Sequence, residues 1–184
     1  MQDDETLYRV YLEGDEDGLS DLIDRYGTRL TLYIHRYIHD VHEAEDLMID
    51  VFAYLAVKKP RIRSGGFKAY IYKSAWNGAL RYLTRNKFRQ CLSLEEMSVE
   101  PESDSSADGL ALLNEQSALI NICMERLKPD YRQALYLVYF DNLSHAEAAE
   151  VMGKSEKQLS DLVYRGRKSL RKRLEEEGGS YADH

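Results

Sequence analysis

The sequence has little cysteine and no long apolar run, and both absences narrow the class of protein. Only Cys91 and Cys123 occur among its 184 residues, and no CxxC pair is present. A disulfide framework and a cysteine-based zinc site are therefore excluded, and both cysteines are predicted to be small buried apolar residues. No window approaches the roughly 18 consecutive apolar residues that predict a membrane-spanning helix.

Signals for secretion, for β-structure and for common enzyme classes are missing as well. Residues 1–5 read MQDDE, which is acidic where a signal peptide is basic and then apolar, so a cytosolic protein is predicted. No stretch alternates apolar and polar residues between turn signals, and the fold class is therefore predicted to be all-α. There is no H-E-x-x-H, P-loop, G-x-S-x-G or dinucleotide fingerprint, and neither an enzyme activity nor a cofactor is predicted.

The charges that are present alternate along the chain in blocks. Residues 1–57 contain 14 acids and 4 bases, whereas residues 58–94 contain 10 bases and no acid. Residues 95–125 then hold 8 acids and no base, and residues 126–174 hold 11 bases against 6 acids. Cations without local carboxylates favour a polyanionic partner over an ordinary solvated face. Nucleic acid is the predicted partner of the two basic blocks.

Apolar periodicity divides the chain into two helical parts. Residues at three- and four-residue spacing predict helices over 19–37, 47–55 and 67–82, with a turn at residues 39–41. Residues 95–114 are rich in Ser, Asp and Glu and cannot bury enough apolar surface to fold. The predicted organisation is two small helical domains, 1–92 and 116–176, joined by a flexible acidic linker, 93–115, and followed by a disordered tail, 177–184. The tail composition predicts disorder from Glu175 onward.

The second domain carries the start and stop signals of a helix-turn-helix. Ser144 with Glu147 is an S-x-x-E capping box, Gly153 is a helix stop, and Ser155 with Gln158 is a second box that opens a longer helix. A short helix, a tight turn and a longer basic helix form the arrangement that places its last helix in the major groove. An ordinary helical hairpin is the alternative, and the basic run from Arg165 to Arg173 counts against it.

The first basic block combines cations with aromatic rings. The apolar stripe of the 67–82 helix leaves Lys73, Trp76, Asn77 and Arg81 on another face. Cations that follow a phosphate backbone and rings on which bases stack are the features that bind single-stranded nucleic acid. Core packing is the alternative role for each ring, and it is favoured for Phe67 more than for Trp76.

Three stretches together resemble the sigma factors of bacterial RNA polymerase, of the small two-domain extracytoplasmic-function (ECF) type. They are residues 12–26, residues 44–52 (AEDLMIDVF) and residues 127–174, which begin LKPDYRQALYLVYFDNLSHAEAAEVMGKS. The resemblance covers residues 7–90 and 116–174. It implies a promoter-specificity subunit without catalytic activity, whose partners are core RNA polymerase, duplex −35 DNA and single-stranded −10 DNA. Inhibitory anti-sigma factors are further partners that it implies.

The resemblance and the charge pattern assign three sets of binding residues. The residues expected to contact core polymerase are Glu43, Glu45, Asp46, Leu47, Asp50 and Val51. Those expected at the −10 element are Lys59, Arg61, Arg63, Phe67, Lys68, Lys73, Trp76, Asn77, Arg81 and Arg85. Those expected at the −35 element are Ser144, Ser155, Lys157, Gln158, Ser160, Asp161, Tyr164, Arg165, Arg167 and Lys168.

Several residues depart from the usual pattern of that family. Ile49 stands where a polar residue is common, and Trp76 stands where a basic residue is common. Ser160, Asp161 and Leu162 occupy a stretch that is often Lys, Ser and Arg. Because a carboxylate accepts a hydrogen bond from cytosine N4 but not from phosphate, Asp161 predicts a −35 sequence unlike that of better-known relatives.

Three other functions compete with the sigma-factor interpretation. A stand-alone helix-turn-helix regulator accounts for residues 126–174 but leaves the acidic helix and the first basic block without a role. A metal-dependent enzyme could use His35, His39, His42 and Asp46, although the turn near Asp40 breaks their common face. An adaptor protein could bind other helices through its acidic face. Promoter binding that depends on core polymerase separates the sigma factor from all three.

Overall fold

The computed structural model describes residues 2–93 and 115–178 of the chain. The chain divides into two compact units, residues 1–103 and 104–184. Within the described ranges every regular element is a helix, which confirms the predicted all-α class. Most of the predicted linker, residues 94–114, lies outside the described residues, and the exact domain boundaries stay predictions.

The first unit contains four helices: α1 (Asp4–Leu12), α2 (Asp17–Ile38), α3 (Val41–Lys58) and α4 (Phe67–Ser93). The predicted turn at residues 39–41 is confirmed. His39 adopts a left-handed conformation at φ 56°, and the Asp40 side chain then caps α3 by accepting from the Glu43 amide at 3.1 Å. A left-handed residue followed by a capping carboxylate ends one helix and starts the next within two residues.

Aromatic side chains form much of the core of this unit. Tyr33 and Tyr72 are fully buried and meet edge to face with ring centroids 5.1 Å apart. Phe67 is 2% exposed, and its ring lies 5.4 Å from that of Tyr8 and 6.1 Å from that of Tyr26. These two groups of rings, from α1, α2 and α4, bury large apolar areas and fix the relative positions of the helices.

Helix α1 was not predicted from the apolar periodicity of the sequence. Asp3 caps it by accepting from the Thr6 amide at 2.7 Å, and Leu7, Tyr8 and Tyr11 are buried against the other helices. The crossing with α2 is close, because a Cβ at Gly18 would lie 2.4 Å from the Leu7 carbonyl oxygen. Nine residues give too few apolar repeats to stand out as a periodic pattern.

The second unit contains α5 (Glu115–Glu125), α6 (Pro129–Leu135), α7 (His145–Met152) and α8 (Glu156–Gly178). Between α6 and α7 the chain forms a π-helical turn over Tyr136–Phe140. In its core, Leu137 and Leu159 are fully buried and Leu135 is 2% exposed. Cys123 is buried as predicted, and burial raises the pKa of its thiol. The side chain of Cys91 lies outside the described residues.

The tail prediction is wrong at its beginning. Residues 175–178 continue α8, where Glu175 accepts from Arg171 Nε at 2.8 Å and Glu177 pairs with Arg126, which directly follows α5. These pairs give the glutamates local partners that composition alone does not indicate. The rest of the predicted tail, residues 179–184, lies outside the described residues.

Candidate polymerase and nucleic-acid interfaces

Helix α3 presents both carboxylates and apolar side chains on its outer surface. Glu45, Asp46 and Asp50 are exposed, and Asp46 and Asp50 are one turn apart. Four large apolar or aromatic side chains of α3 that the predicted polymerase-binding set does not contain are exposed as well: Val41 (47%), Ile49 (56%), Tyr54 (53%) and Val57 (77%). Acidic groups beside exposed apolar groups are typical of a protein-binding surface rather than of an ordinary solvated helix.

Two apolar residues of the predicted polymerase-binding set are fully or partly buried. Val51 is only 8% exposed and packs in the core, while Leu47 is partly buried. The Val51 side chain therefore does not lie on the surface expected to meet the polymerase, because the same apolar periodicity that marks the helix directs this residue inward. Glu43 is partly buried, and its amide binds Asp40.

The segment between α3 and α4 carries cations on an irregular backbone. Lys59 is left-handed at φ 43° and Gly65 at φ 72°, and Arg61 and Arg63 are both exposed. Gly66 is buried, and a Cβ there would lie 2.7 Å from Arg63 Cγ, so a larger residue would displace the Arg63 side chain. We call residues 59–66 the basic loop.

On α4 the predicted polar residues form one stripe. Lys73, Asn77, Arg81 and Arg85 are all exposed and are spaced four residues apart, which places them on one side of the helix. Lys68 is partly buried. Trp76 is half-buried beside this stripe, and its ring meets that of Tyr37 edge to face at 4.9 Å.

Phe67 departs from the prediction for this site. Its side chain lies in the core between Tyr8 and Tyr26, as described above, and not on the surface where a −10 contact was expected. The sequence places Phe67 at the start of the apolar stripe, and this was the signal for its core position. Among the described rings of the basic block, Phe88 is exposed at 66%, and Trp76, like Tyr70 and Tyr82, is partly exposed.

In the second unit, both predicted capping boxes form and set the ends of the helix-turn-helix. The Ser144 hydroxyl accepts from the Glu147 amide at 3.2 Å, and the Ser144 amide donates to Glu147 Oε2 at 2.7 Å. Ser155 and Gln158 make the same reciprocal pair at 3.2 and 2.9 Å. Gly153 is left-handed at φ 63° between the two helices, as predicted. Because its side chain holds the cap, Ser144 has less capacity to bind DNA directly.

The outer face of α8 contains most of the predicted −35 residues. The exposed members are Lys157, Gln158, Ser160, Asp161, Tyr164, Arg165, Arg167 and Lys168. Gln158, Asp161 and Arg165 line a shallow cleft of about 250 Å³ together with Lys154. Lys154, which is not in the predicted −35 set, forms an ion pair with Asp130 of α6 at 3.2 Å. His145 Nδ1 lies 3.2 Å from Ser160 Oγ and connects α7 to α8.

Comparison with known proteins agrees with this geometry in both units. The family model "Sigma-70 region 2" matches residues 22–89, and "Sigma-70, region 4" matches residues 119–170. The chain belongs to the sigma-70 family of sigma factors. Its relatives place it in the ECF type. The resemblance that residues 12–26, 44–52 and 127–174 indicate is thereby confirmed.

Individual relatives match along most of their length. The chain is 29% identical to the ECF RNA polymerase sigma factor SigW of Bacillus subtilis over 172 residues, which is 88% of this chain and 91% of SigW. It is 28% identical to the RNA polymerase sigma-H factor of Pseudomonas aeruginosa over 186 residues, covering 95% of this chain and 94% of that protein.

Two solved structures share the fold. CnrH, in complex with the cytosolic domain of CnrY, superposes with a TM-score of 0.66 at 20% identity and covers 98% of this chain and 99% of that one. The sigma factor RpoE of Bartonella quintana, in complex with the anti-sigma factor NepR, gives a TM-score of 0.64 at 18% identity, covering 88% and 98% of the two chains.

As a sigma factor, the protein binds core RNA polymerase and promoter DNA and directs initiation at specific promoters. Sigma factors supply specificity and leave the chemistry of RNA synthesis to the polymerase, so this chain is not an enzyme. The stand-alone regulator is not favoured, because it leaves the region 2 match unexplained. In the described residues no group of His, Cys, Asp and Glu is arranged to hold a metal ion, and no helix is long and apolar enough to cross a bilayer.

Proposed function

We propose that three surfaces of this sigma factor divide the work of promoter recognition. The acidic surface of α3 binds core polymerase, the basic loop and the α4 stripe hold the single-stranded −10 element, and α8 reads the duplex −35 element. The observation that carries this proposal is the juxtaposition, within one small unit, of exposed carboxylates on α3 with an acid-free basic loop and stripe. Surfaces of opposite charge suit two different partners at once.

The α4 stripe fits a single strand better than a duplex. Three of the four stripe residues, Lys73, Arg81 and Arg85, are cations that can follow a phosphate backbone. The half-buried Trp76 ring beside them offers a surface on which an unpaired base stacks. Its contact with Tyr37 holds that ring in one orientation, which lowers the entropy lost on binding. The basic loop, with Arg61 and Arg63, is the part that would capture a base flipped out of the non-template strand.

Helix α8 fits the major groove of the −35 element. Gln158, Asp161 and Arg165 lie along one face near the start of the helix, where a recognition helix contacts base edges. Asp161 accepts a hydrogen bond from cytosine N4, whereas Arg165 suits guanine or phosphate. We infer that a cytosine on one strand of the −35 element faces Asp161.

Run-off transcription tests the proposal as a whole. The purified chain, core polymerase and fragmented genomic DNA should yield RNA whose 5′ ends share −10 and −35 motifs upstream. The double variant Asp46→Ala/Asp50→Ala should lose binding to core polymerase, while Asp21→Ala/Asp24→Ala, which removes the same charge from exposed positions of α2, should retain it. Absence of discrete start sites, together with equal core affinity for both double variants, would contradict the proposal.

The cellular setting and an inhibitory partner follow from the same function. A subunit of this kind acts where core polymerase is, and we place it in the cytoplasm. Because the matched RpoE structure is a complex with an anti-sigma factor, we propose that this chain also has an anti-sigma partner. The exposed apolar side chains of α3, Ile49 and Val57, are surfaces that such a partner would cover.

A further inference from the structure

Helix α1 makes a set of contacts with the basic loop that the function described so far does not use. The Glu5 carboxylate accepts from the Ser64 hydroxyl through Oε2 at 2.8 Å and from the Gly65 amide through Oε1. A charged acceptor with two donors is among the stronger hydrogen-bonding arrangements in proteins. Both donors lie at the end of the loop, directly before α4.

The beginning of the loop is attached to the same helix. Tyr8 donates its hydroxyl to the Pro60 carbonyl at 2.8 Å, and Tyr11 donates to the Ala56 carbonyl at 3.0 Å. The Lys59 ammonium lies 4.7 Å above the Tyr11 ring. Contacts from one rigid helix to both ends of a loop restrict the backbone between them, where Arg61 and Arg63 are exposed.

Helix α1 is itself held on the scaffold and is able to act as a support. Asp4, next to Glu5, binds the Arg25 guanidinium and the Tyr26 hydroxyl of α2. The close approach of Leu7 to Gly18 adds backbone packing between the same two helices. The position of the Glu5 carboxylate is therefore set by α2 as well as by α1.

The loop needs such support because its own backbone is irregular. It contains left-handed residues at both ends, Lys59 and Gly65, and a tight turn in which the Gly66 amide donates to the Arg63 carbonyl at 3.0 Å. Lys59 adopts a left-handed conformation that is unfavourable for a residue with a Cβ. A loop that carries several cations also repels itself, and one carboxylate at its base reduces that repulsion.

We propose that Glu5 is a positioning residue for base discrimination at the −10 element, and that α1 is the support that holds the basic loop in its reading conformation. The inference rests on the proposed function of the loop. Glu5 contacts the loop backbone and the Ser64 side chain rather than DNA, so its effect is on the selectivity of the loop and not on the binding of core polymerase.

The test uses holoenzyme assembled from core polymerase and the full chain. The DNA templates have an unpaired −10 region of randomised sequence. The holoenzyme binds these templates, and sequencing of the bound fraction gives the base preference at each −10 position. Four variants are compared with wild type: Glu5→Ala, Glu5→Gln, Ser64→Ala and, as a control, Glu13→Ala. Glu13 lies at the other end of α1, is exposed, and carries the same charge as Glu5. Core affinity and thermal unfolding are measured in parallel.

The expected result is a loss of selectivity that follows the hydrogen bonds. Glu5→Ala removes both hydrogen bonds and should lower the preference at the most selective position by at least about tenfold, the factor that corresponds to one charge-assisted hydrogen bond. Glu5→Gln, whose amide oxygen still accepts from Gly65, should stay within about threefold of wild type, and Ser64→Ala should fall between them. Glu13→Ala should match wild type, and core affinity should not change in any variant.

Other outcomes overturn the inference in distinguishable ways. Wild-type selectivity that persists in Glu5→Ala, or an equal loss in Glu13→Ala, refutes the positioning role alone. A wild-type holoenzyme without any base preference in the −10 region refutes the proposed function of the loop and the positioning role with it. If Glu5→Ala does not fold, Ser64→Ala decides the question, and unchanged selectivity in that variant counts against the inference.

Discussion

Replacement of Arg165 by glutamine tests whether α8 contacts DNA through the face that the structure exposes. The predicted −35 set contains four exposed cations, Lys157, Arg165, Arg167 and Lys168. If each neutralises one phosphate, the slope of log K against log salt is about −3.6, and binding weakens roughly 150-fold between about 50 and 200 mM salt. Arg165→Gln should bring the slope to about −2.7 and that loss to roughly 40-fold.

The measurement is fluorescence anisotropy of a labelled −35 duplex titrated with holoenzyme across that salt range. Other phosphate contacts of the holoenzyme add equally to both slopes, so the informative quantity is their difference of about 0.9. Arg171→Gln is the matched control, because Arg171 lies farther along the same helix and binds Glu175 at 2.8 Å. An unchanged slope for Arg165→Gln, or an equal change for Arg171→Gln, would refute the assignment of this face to DNA.

Three further predictions concern the scaffold that positions these surfaces. Ser144→Ala removes the side chain that caps α7. It should lower the free energy of unfolding, measured by urea titration, by about 1 kcal/mol. An unchanged free energy of unfolding would show that the cap is dispensable. Phe67→Ala should cost about 3 to 5 kcal/mol in the same assay, because it empties a buried ring site; a stable variant with weakened −10 binding would instead restore its role at DNA. Burial, with smaller effects from Tyr70 and Tyr11, raises the pKa of Tyr8 to about 12. The folded state therefore holds the phenol proton more tightly than the unfolded state does, and stability should fall as pH rises from about 10 to 12. The thermal unfolding temperature of Tyr8→Phe, measured against pH, should lack this fall. A pH profile identical to that of wild type would contradict the assignment of the fall to Tyr8.

Local signals account for the parts of the site that the sequence predicted well. Capping boxes and a left-handed glycine act within three or four residues, so Ser144, Gly153 and Ser155 define the helix-turn-helix without knowledge of the fold. The π-helical turn over Tyr136–Phe140 carries no such signal and was not predicted. The stripe on α4 was predicted because residues four apart always share a side of a helix.

The sequence by itself determined the helical class, the positions of the caps and the alternation of acidic and basic surfaces, since periodicity and charge are properties of short segments. The tertiary structure decided which rings are buried, and it separated Phe67, which packs in the core, from Trp76, which reaches the surface. It also decided that Glu5 meets Ser64, 59 residues farther along the chain. A contact at that separation depends on how α1 packs against α2, and no local pattern in either segment encodes it.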